Sequence, residues 1–195
     1  METLLKFKKE GKIGGIGFSE ISPSSLRRAA EVGLVDAVQS EYSLWTRSAE
    51  LGLIQTCQEL GVSFIPFSPL GRGIFSITPP DPSTFGELDF RKNNPRFLQP
   101  YFNQNLNLLE PFKQFCVDLN VSPSTMAIAW ILNQGEHFLP IPGTRSRVHL
   151  MELALGSQFN FTKEISDQID RILPIGWAHG ERYSDLQWVG IEKFC

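Results

Sequence analysis

The stretch Phe138-Leu-Pro-Ile-Pro-Gly-Thr-Arg-Ser-Arg-Val-His-Leu-Met-Glu152 decides how the chain is read. A short apolar run ends in Pro142 and Gly143, turns through Thr144 and Arg145, and enters a segment of helical character. A helix N-terminus leaves backbone N–H groups facing outward, and a fixed cation beside them adds positive charge; together they suit a phosphate. Thr144 or Ser146 is placed to cap the helix, and Gly143 allows close approach of a ligand. A capped strand-to-helix turn that happens to carry an arginine also serves structure alone. Its neighbours in the fold have to decide between the two.

Working outward, the same strand-then-helix order recurs. Residues 3–10 read as the end of a helix that Gly11 stops. Residues 13–18 are a short glycine-rich strand, followed by Ser19 and Glu20 at its C-terminal end. Ser22-Pro23 is an N-cap with proline at the first helical position, and Leu26, Ala29, Ala30 and Val32 give that helix its apolar face. Residues 35–38 form the next strand, ending in Gln39. Ser48 opens a helix with Leu51, Ile54, Cys57 and Leu60 inward, and residues 62–65 are a third strand. Residues 74–105 show no period and hold five of the 13 prolines, which marks a long loop. Its six aromatic residues predict a packed lid in place of a disordered one. Helices follow over 106–119 and from the Ser122-Pro123 cap. Then come the strand at 138–141 with its helix, and a last helix capped by Thr162.

Short strands that are apolar on both faces and alternate with helices predict a parallel sheet covered by helices. Polar side chains collect at the strands' C-terminal ends: Ser19 and Glu20, Gln39, Ser68 and Arg72, Thr144 and Arg145. That is where α/β barrels place their sites, with phosphate at the last two strands. Four strands cannot close a barrel, because a complete one takes about 250 residues.

Composition bounds the alternatives. The chain has 195 residues, 42% of them hydrophobic, with 15 Phe and 4 Trp, which is enough for one core and predicts a single domain over 1–195. A net charge of −3 without a basic run gives no footprint for nucleic acid or a membrane surface. No apolar run reaches the roughly 18 residues of a membrane span. Residues 1–10 lack the apolar region of a secretory signal. Cys57, Cys116 and Cys195 have no metal-ligand spacing and read as thiols, the first two in buried helical positions. A soluble, cytoplasmic protein without a resident metal is the expectation.

Four motifs then carry a resemblance. Gly11-Lys-Ile-Gly-Gly-Ile-Gly-Phe-Ser-Glu20 resembles the fifth strand of the aldo-keto reductases, and Ala37-Val-Gln-Ser-Glu-Tyr-Ser-Leu-Trp45 resembles the sixth. Pro66-Phe-Ser-Pro-Leu-Gly-Arg-Gly73 is similar to the seventh; Ile141-Pro-Gly-Thr-Arg145 with Leu150-Met-Glu152 is similar to the eighth. Phe90-Arg91, Pro95-Arg-Phe97 and Gly180-Glu-Arg-Tyr183 resemble the branch acting on aryl and alkyl aldehydes and on pyridoxal-like compounds. The resemblance implies an α/β fold, a parallel (β/α) barrel of the TIM type, of which this chain holds strands 5–8. It implies an NADPH cofactor and a small-molecule carbonyl substrate.

By position, the resemblance assigns Ser19 and Gln39 to the nicotinamide carboxamide, with Glu20 beside them. Phe67 lies against the nicotinamide ring. Ser68, Pro69, Leu70 and Arg72 line the pyrophosphate channel. Gly143, Thr144 and Arg145 hold the 2′-phosphate, His149 reaches a phosphate or stays solvated, and Glu152 faces the adenine amino group. Leu153 stands where the family usually has Asn.

The family's catalytic Asp, Tyr, Lys and His belong to the first four strands, so no catalytic residue is expected in this chain. Tyr42 is expected to pack beside Trp45 at the edge of the site. Three readings stay open: the cofactor-binding half of a reductase, a non-catalytic NADP(H)-binding module or subunit partner, and a truncated product without its own activity. The strand edges at 13–18 and 138–141 are expected to drive self-association.

Overall fold

A computed structural model describes residues 1–192, so Cys195 lies outside the described residues. The chain lays down α1 (Glu2–Lys9), β1 (Gly17–Ser19), α2 (Pro23–Val32), β2 (Ala37–Glu41), α3 (Leu53–Leu60), β3 (Ser63–Phe67), α4 (Tyr101–Asp118), α5 (Pro123–Leu132), α6 (Arg147–Leu155) and α7 (Lys163–Ile172). The three strands pair in parallel in the order β1-β2-β3, with Ser19 opposite Gln39 and Glu41 opposite Phe67. Parallel neighbours need crossovers, and α2 and α3 supply them.

The expected fourth strand is reduced to a single parallel bridge between Phe64 and Phe138. Phe64 N–H donates to His137 O, and the Leu139 and Ile141 amides donate to Phe64 O and Pro66 O at 2.8 and 3.0 Å. The next rung would need an N–H from residue 66, which is proline and has none. The outer edge of the segment is blunted the same way. Residues 139 and 141 bond inward, so 140 and 142 face outward, and both are proline. Of the two edges expected to template self-association, only β1, with Gly17 and Ser19 exposed, keeps outward amides.

Other boundaries move for local reasons. β1 starts at Gly17, after Gly14 and Gly15, which have no side chain to pack against a neighbouring strand. α4 begins at Tyr101, earlier than its sequence pattern predicted, because Phe102, Asn105, Leu109, Phe112 and Cys116 form one buried stripe. The aperiodic segment is correspondingly shorter. It folds as three short 3-10 turns, at Pro82–Thr84, Phe90–Asn93 and Pro95–Phe97, capped by Asp81, Asp89 and Asn94. Phe97 anchors it, edge-on to Trp45 at 5.3 Å and stacked on Phe102 at 5.7 Å.

One face of the sheet is covered and the other is not. Val38, Ser40, Phe64 and Pro66 are buried, while Ala37, Gln39, Ser63, Ile65 and Phe67 on the opposite face remain half-buried. The covering layer centres on α5, in which every residue from Pro123 to Ile131 is buried. Trp130 stacks on Tyr42 at 5.2 Å, and Tyr42 meets Phe64 and Phe138. This corrects the expectation for Tyr42. Its ring belongs to the core on Trp130, and its hydroxyl donates to Glu50 Oε1 at 2.8 Å.

Trp130→Ala is expected to lower unfolding free energy by about 3–5 kcal/mol in urea titrations. Tyr42→Phe, which removes only the hydroxyl, is expected to cost about 1 kcal/mol.

Candidate functional site

The strand ends form the site's floor. Ser19 is exposed, Gln39 and Phe67 are half-buried, and Ser68 follows Phe67 into a tight turn in which Pro69 is buried and Leu70 half-buried. The backbone here is held in an unusual state. Among the described residues four non-glycines have positive φ, and three of them are at this face: Glu20 (54°), Ser68 (50°) and Arg72 (57°). Non-glycine residues are kept in that region only when their surroundings over-determine it, and such positions concentrate at functional sites. Gly71 (φ 54°) completes the turn, where a Cβ would sit 2.8 Å from Ile74 Cγ2 and 3.1 Å from Trp45 Cε3.

Two buried carboxylates define the electrostatics. Glu20 Oε1 accepts the Glu41 amide at 2.9 Å, and its Oε2 accepts Arg182 Nη2 at 2.6 Å. Glu41 Oε2 accepts Arg72 Nη2 at 2.7 Å and lies 4.0 Å from Arg182 Nε. Burial pushes the Glu20 carboxyl above its ordinary range, and Arg182 opposes that shift. The guanidiniums are sandwiched by aromatic faces: Arg72 by Phe90 and Tyr183 at 4.3 and 5.0 Å, Arg182 by Tyr183 and Trp188 at 4.5 and 5.2 Å.

The position-by-position expectation put Arg72 in a phosphate channel; in the structure its charge is engaged by Glu41. The partnership of Glu41 with Arg72 and Arg182 was not legible from spacing. The one signal was the motif 180–183, which places Arg182 in an otherwise irregular tail.

That tail is tied down along its length. Trp177 Nε1 donates to Leu44 O at 2.7 Å, and Asn105 exchanges two hydrogen bonds with the His179 backbone. Gly180, at φ 85°, approaches Pro95 and Arg96 so closely that a Cβ would meet their backbone atoms at 3.2 Å. Glu192 accepts the Ser22 amide and the Ser25 hydroxyl, each at 2.9 Å, so its negative charge rests on the N-terminus of α2.

The 138–152 stretch forms the other end of the face. Ser146 is the N-cap of α6 and accepts the His149 amide; Thr144 Oγ1 accepts the Ser146 amide at 3.2 Å. Arg145 is exposed and has no ion-pair partner among the described residues, and His149 is exposed beside it. Gly143 has open space where a Cβ would sit. Glu152 turns toward α5, accepting Ser124 Oγ at 2.9 Å, and the neighbouring Leu153 is buried in the core. The structure thus brings Ser19, Glu20, Gln39, Phe67 and Ser68 together at the strand ends and leaves Arg145 without an ion-pair partner among the described residues. It gives Arg72 and Glu152 partners inside the protein.

Acid–base groups are scarce. Burial drives the Tyr42 and Tyr183 hydroxyls well above the ordinary tyrosine range, Glu50 adding for the first and Glu41 for the second. Burial likewise pushes the Cys57 and Cys116 thiols up to about 12. Among the described residues no group of three or more His, Cys, Asp or Glu converges on a metal position, and no single helix is long and apolar enough to cross a membrane.

Comparison with known proteins places this arrangement. The model of the "Aldo/keto reductase family" matches residues 1–174. The chain is 36% identical to the "Probable aldo-keto reductase 1" of Glycine max, over 92% of this chain and 52% of the relative. It is 39% identical to the "Aldo-keto reductase yakc [NADP(+)]" of Schizosaccharomyces pombe, over 80% of this chain and 47% of the relative. The glycerol dehydrogenase AKR11B4 from Gluconobacter oxydans superimposes with a TM-score of 0.78 at 25% identity, over 87% of this chain and 52% of that one. A thermostable aldo-keto reductase, Tm1743, shares the fold with a TM-score of 0.64. The chain spans about half the length of the relatives it matches, and on the strength of a match running from its first residue through α7 it belongs to the aldo/keto reductase family.

Proposed function

We propose that this chain is the cofactor-binding half of an NADPH-dependent aldo-keto oxidoreductase that reduces aldehydes or ketones to alcohols. The observation that carries the reading is the unpaired Arg145 at the capped N-terminus of α6, on the face that also presents Ser19, Gln39 and Phe67. A dianionic 2′-phosphate needs a cation that is not already neutralised, and outward amides beside it. The NADP(+) in the name of the Schizosaccharomyces pombe relative agrees with that choice. When bound, the dinucleotide supplies the hydride. Ser19 and Gln39, adjacent in register, hold its carboxamide, and the half-buried Phe67 ring supports the nicotinamide face. Because Arg72 is held by Glu41, the pyrophosphate falls to the backbone and hydroxyl of the 68–73 turn.

On this reading the chain supplies the segments of strands 5–8 of the barrel, the last present as the bridge at Phe138, and the half-buried sheet face is the lumen side. Turnover requires a proton donor near neutral pH. Burial raises the pKa of both buried tyrosine hydroxyls, which makes them poor donors there. On this reading the isolated chain binds the nucleotide without turning over a substrate. The reduced, buried Cys57 and Cys116 suit the cytoplasm.

Three outcomes test this reading. NADPH fluorescence titration should show saturable binding that Arg145→Ala weakens about tenfold or more, while NADH, lacking the 2′-phosphate, is affected little; equal loss for both nucleotides would refute the phosphate assignment. Aromatic aldehyde reduction by the purified chain should not rise above the enzyme-free rate. Sedimentation should give species larger than the 22.0 kDa monomer, associating through the open face and the β1 edge.

A further inference from the structure

We propose that the cleft between the 44–51 loop and the 175–191 tail binds an organic monocarboxylate, its anionic end on Arg96 and its apolar body against Trp45, Trp188 and Ile191. The cleft is open and encloses about 1060 Å³. That exceeds what a drug-sized ligand needs, and its wall mixes aromatic and aliphatic surface with three guanidiniums.

Two of those guanidiniums are already matched. Arg47 pairs with Glu50 and Asp170 at 2.6 and 2.7 Å, and Arg182 pairs with Glu20. Arg96 differs. Its Nη1 donates to Trp45 O at 2.7 Å and Thr46 Oγ1 at 2.8 Å, and its Nε to Gly180 O at 3.3 Å. These acceptors are all neutral, and none of these bonds uses Nη2. Among the described residues no carboxylate lies within ion-pair distance of it.

Burial lowers the Arg96 guanidinium to about 10, with Glu41 and Glu181 opposing from beyond ion-pair distance, so it still carries its charge at neutral pH. The Arg96 Cζ stands 5.2 Å from the Trp45 ring centroid, so the charge sits against the aromatic wall. A guanidinium bonded only to neutral acceptors, with one nitrogen unused by them, is an arrangement that a carboxylate entering the cleft completes.

The other charges in the cleft narrow the ligand. Glu50 is engaged by Arg47, but Glu181 and Asp185 stand exposed on the rim. A nucleotide or other polyanion would meet all three carboxylates. A monocarboxylate on an aryl body meets Arg96 first and keeps its uncharged part against the indoles. The site uses none of the residues assigned to the dinucleotide, so it stands or falls without that assignment.

Calorimetric titration of the full chain with 2-naphthoate and with its neutral counterpart 2-naphthamide tests the proposal, with no nucleotide present. The acid should bind about tenfold or more tighter than the amide. Arg96→Gln should erase that preference while retaining amide binding. Equal affinities, binding of neither compound, or a preference that survives in folded Arg96→Gln would overturn the site. Arg96 also ties the loop to the tail, so the variant has a chance of not folding. In that case the wild-type preference is compared at about 0.05 and 0.5 M salt. A preference that shrinks with salt supports the ion pair, and one that does not shrink overturns it.

Discussion

Two carboxylates cannot sit side by side at the mouth of a sheet unless something from elsewhere neutralises them. Glu20 follows β1 and Glu41 ends β2, adjacent strands in register, and both are buried. Their charges are met by Arg72, from the turn after β3, and by Arg182, from the far end of the chain. Removing one member of a buried pair leaves the other charge stranded, at a cost of about 3–5 kcal/mol. The irregular C-terminal tail therefore has a fixed course. It must deliver Arg182 to Glu20, and Trp177, Gly180 and Glu192 are the points at which the route is pinned. The aromatic lid follows from the same constraint, because Phe90 and Tyr183 enclose the Arg72 guanidinium between them.

The consequence for function is a division of charge across one face. The strand-end arginines are spent on the protein's own carboxylates. Arg145 at one end and Arg96 at the other are the cations without an ion-pair partner among the described residues of these two sites. Phosphate recognition is assigned to the first because it stands in solvent at a capped helix N-terminus. Carboxylate recognition is assigned to the second because it stands against indole and aliphatic surface.

The core lies on the covered face of the sheet. α5 is buried through nine consecutive residues and carries the Trp130–Tyr42 stack onto the covered side. That side is a finished core. The opposite side, with Gln39, Ser63, Ile65 and Phe67, has no layer upon it, and the proline pattern at 140 and 142 closes one edge to further pairing. An all-parallel sheet is ordinarily covered on both faces, and here one of the two is left half-buried.

Much of this was legible in the residues alone. Apolar runs separated by capped helices predicted the parallel α/β order, and Ser-Pro caps placed α2 and α5 because a side-chain oxygen and a fixed φ start a helix whatever surrounds it. Ser19, Gln39 and Arg145 were marked by position after a strand, which is local information, while Phe67 came from the family resemblance. What spacing did not contain was pairing at long range. Arg72 was expected to line the pyrophosphate channel, and its partner Glu41 lies 31 residues away; Arg182 meets Glu20 across 162. Tyr42 was placed at the site's edge because its companion Trp130 arrives from a helix on the far side of the lid segment. The loss of the fourth strand turned on Pro66, a residue in its neighbour. Local chemistry determined which elements form and where polar side chains collect at the strand ends. Tertiary structure decided which charges remain available, since a charge is free only when every other part of the chain has left it unpaired.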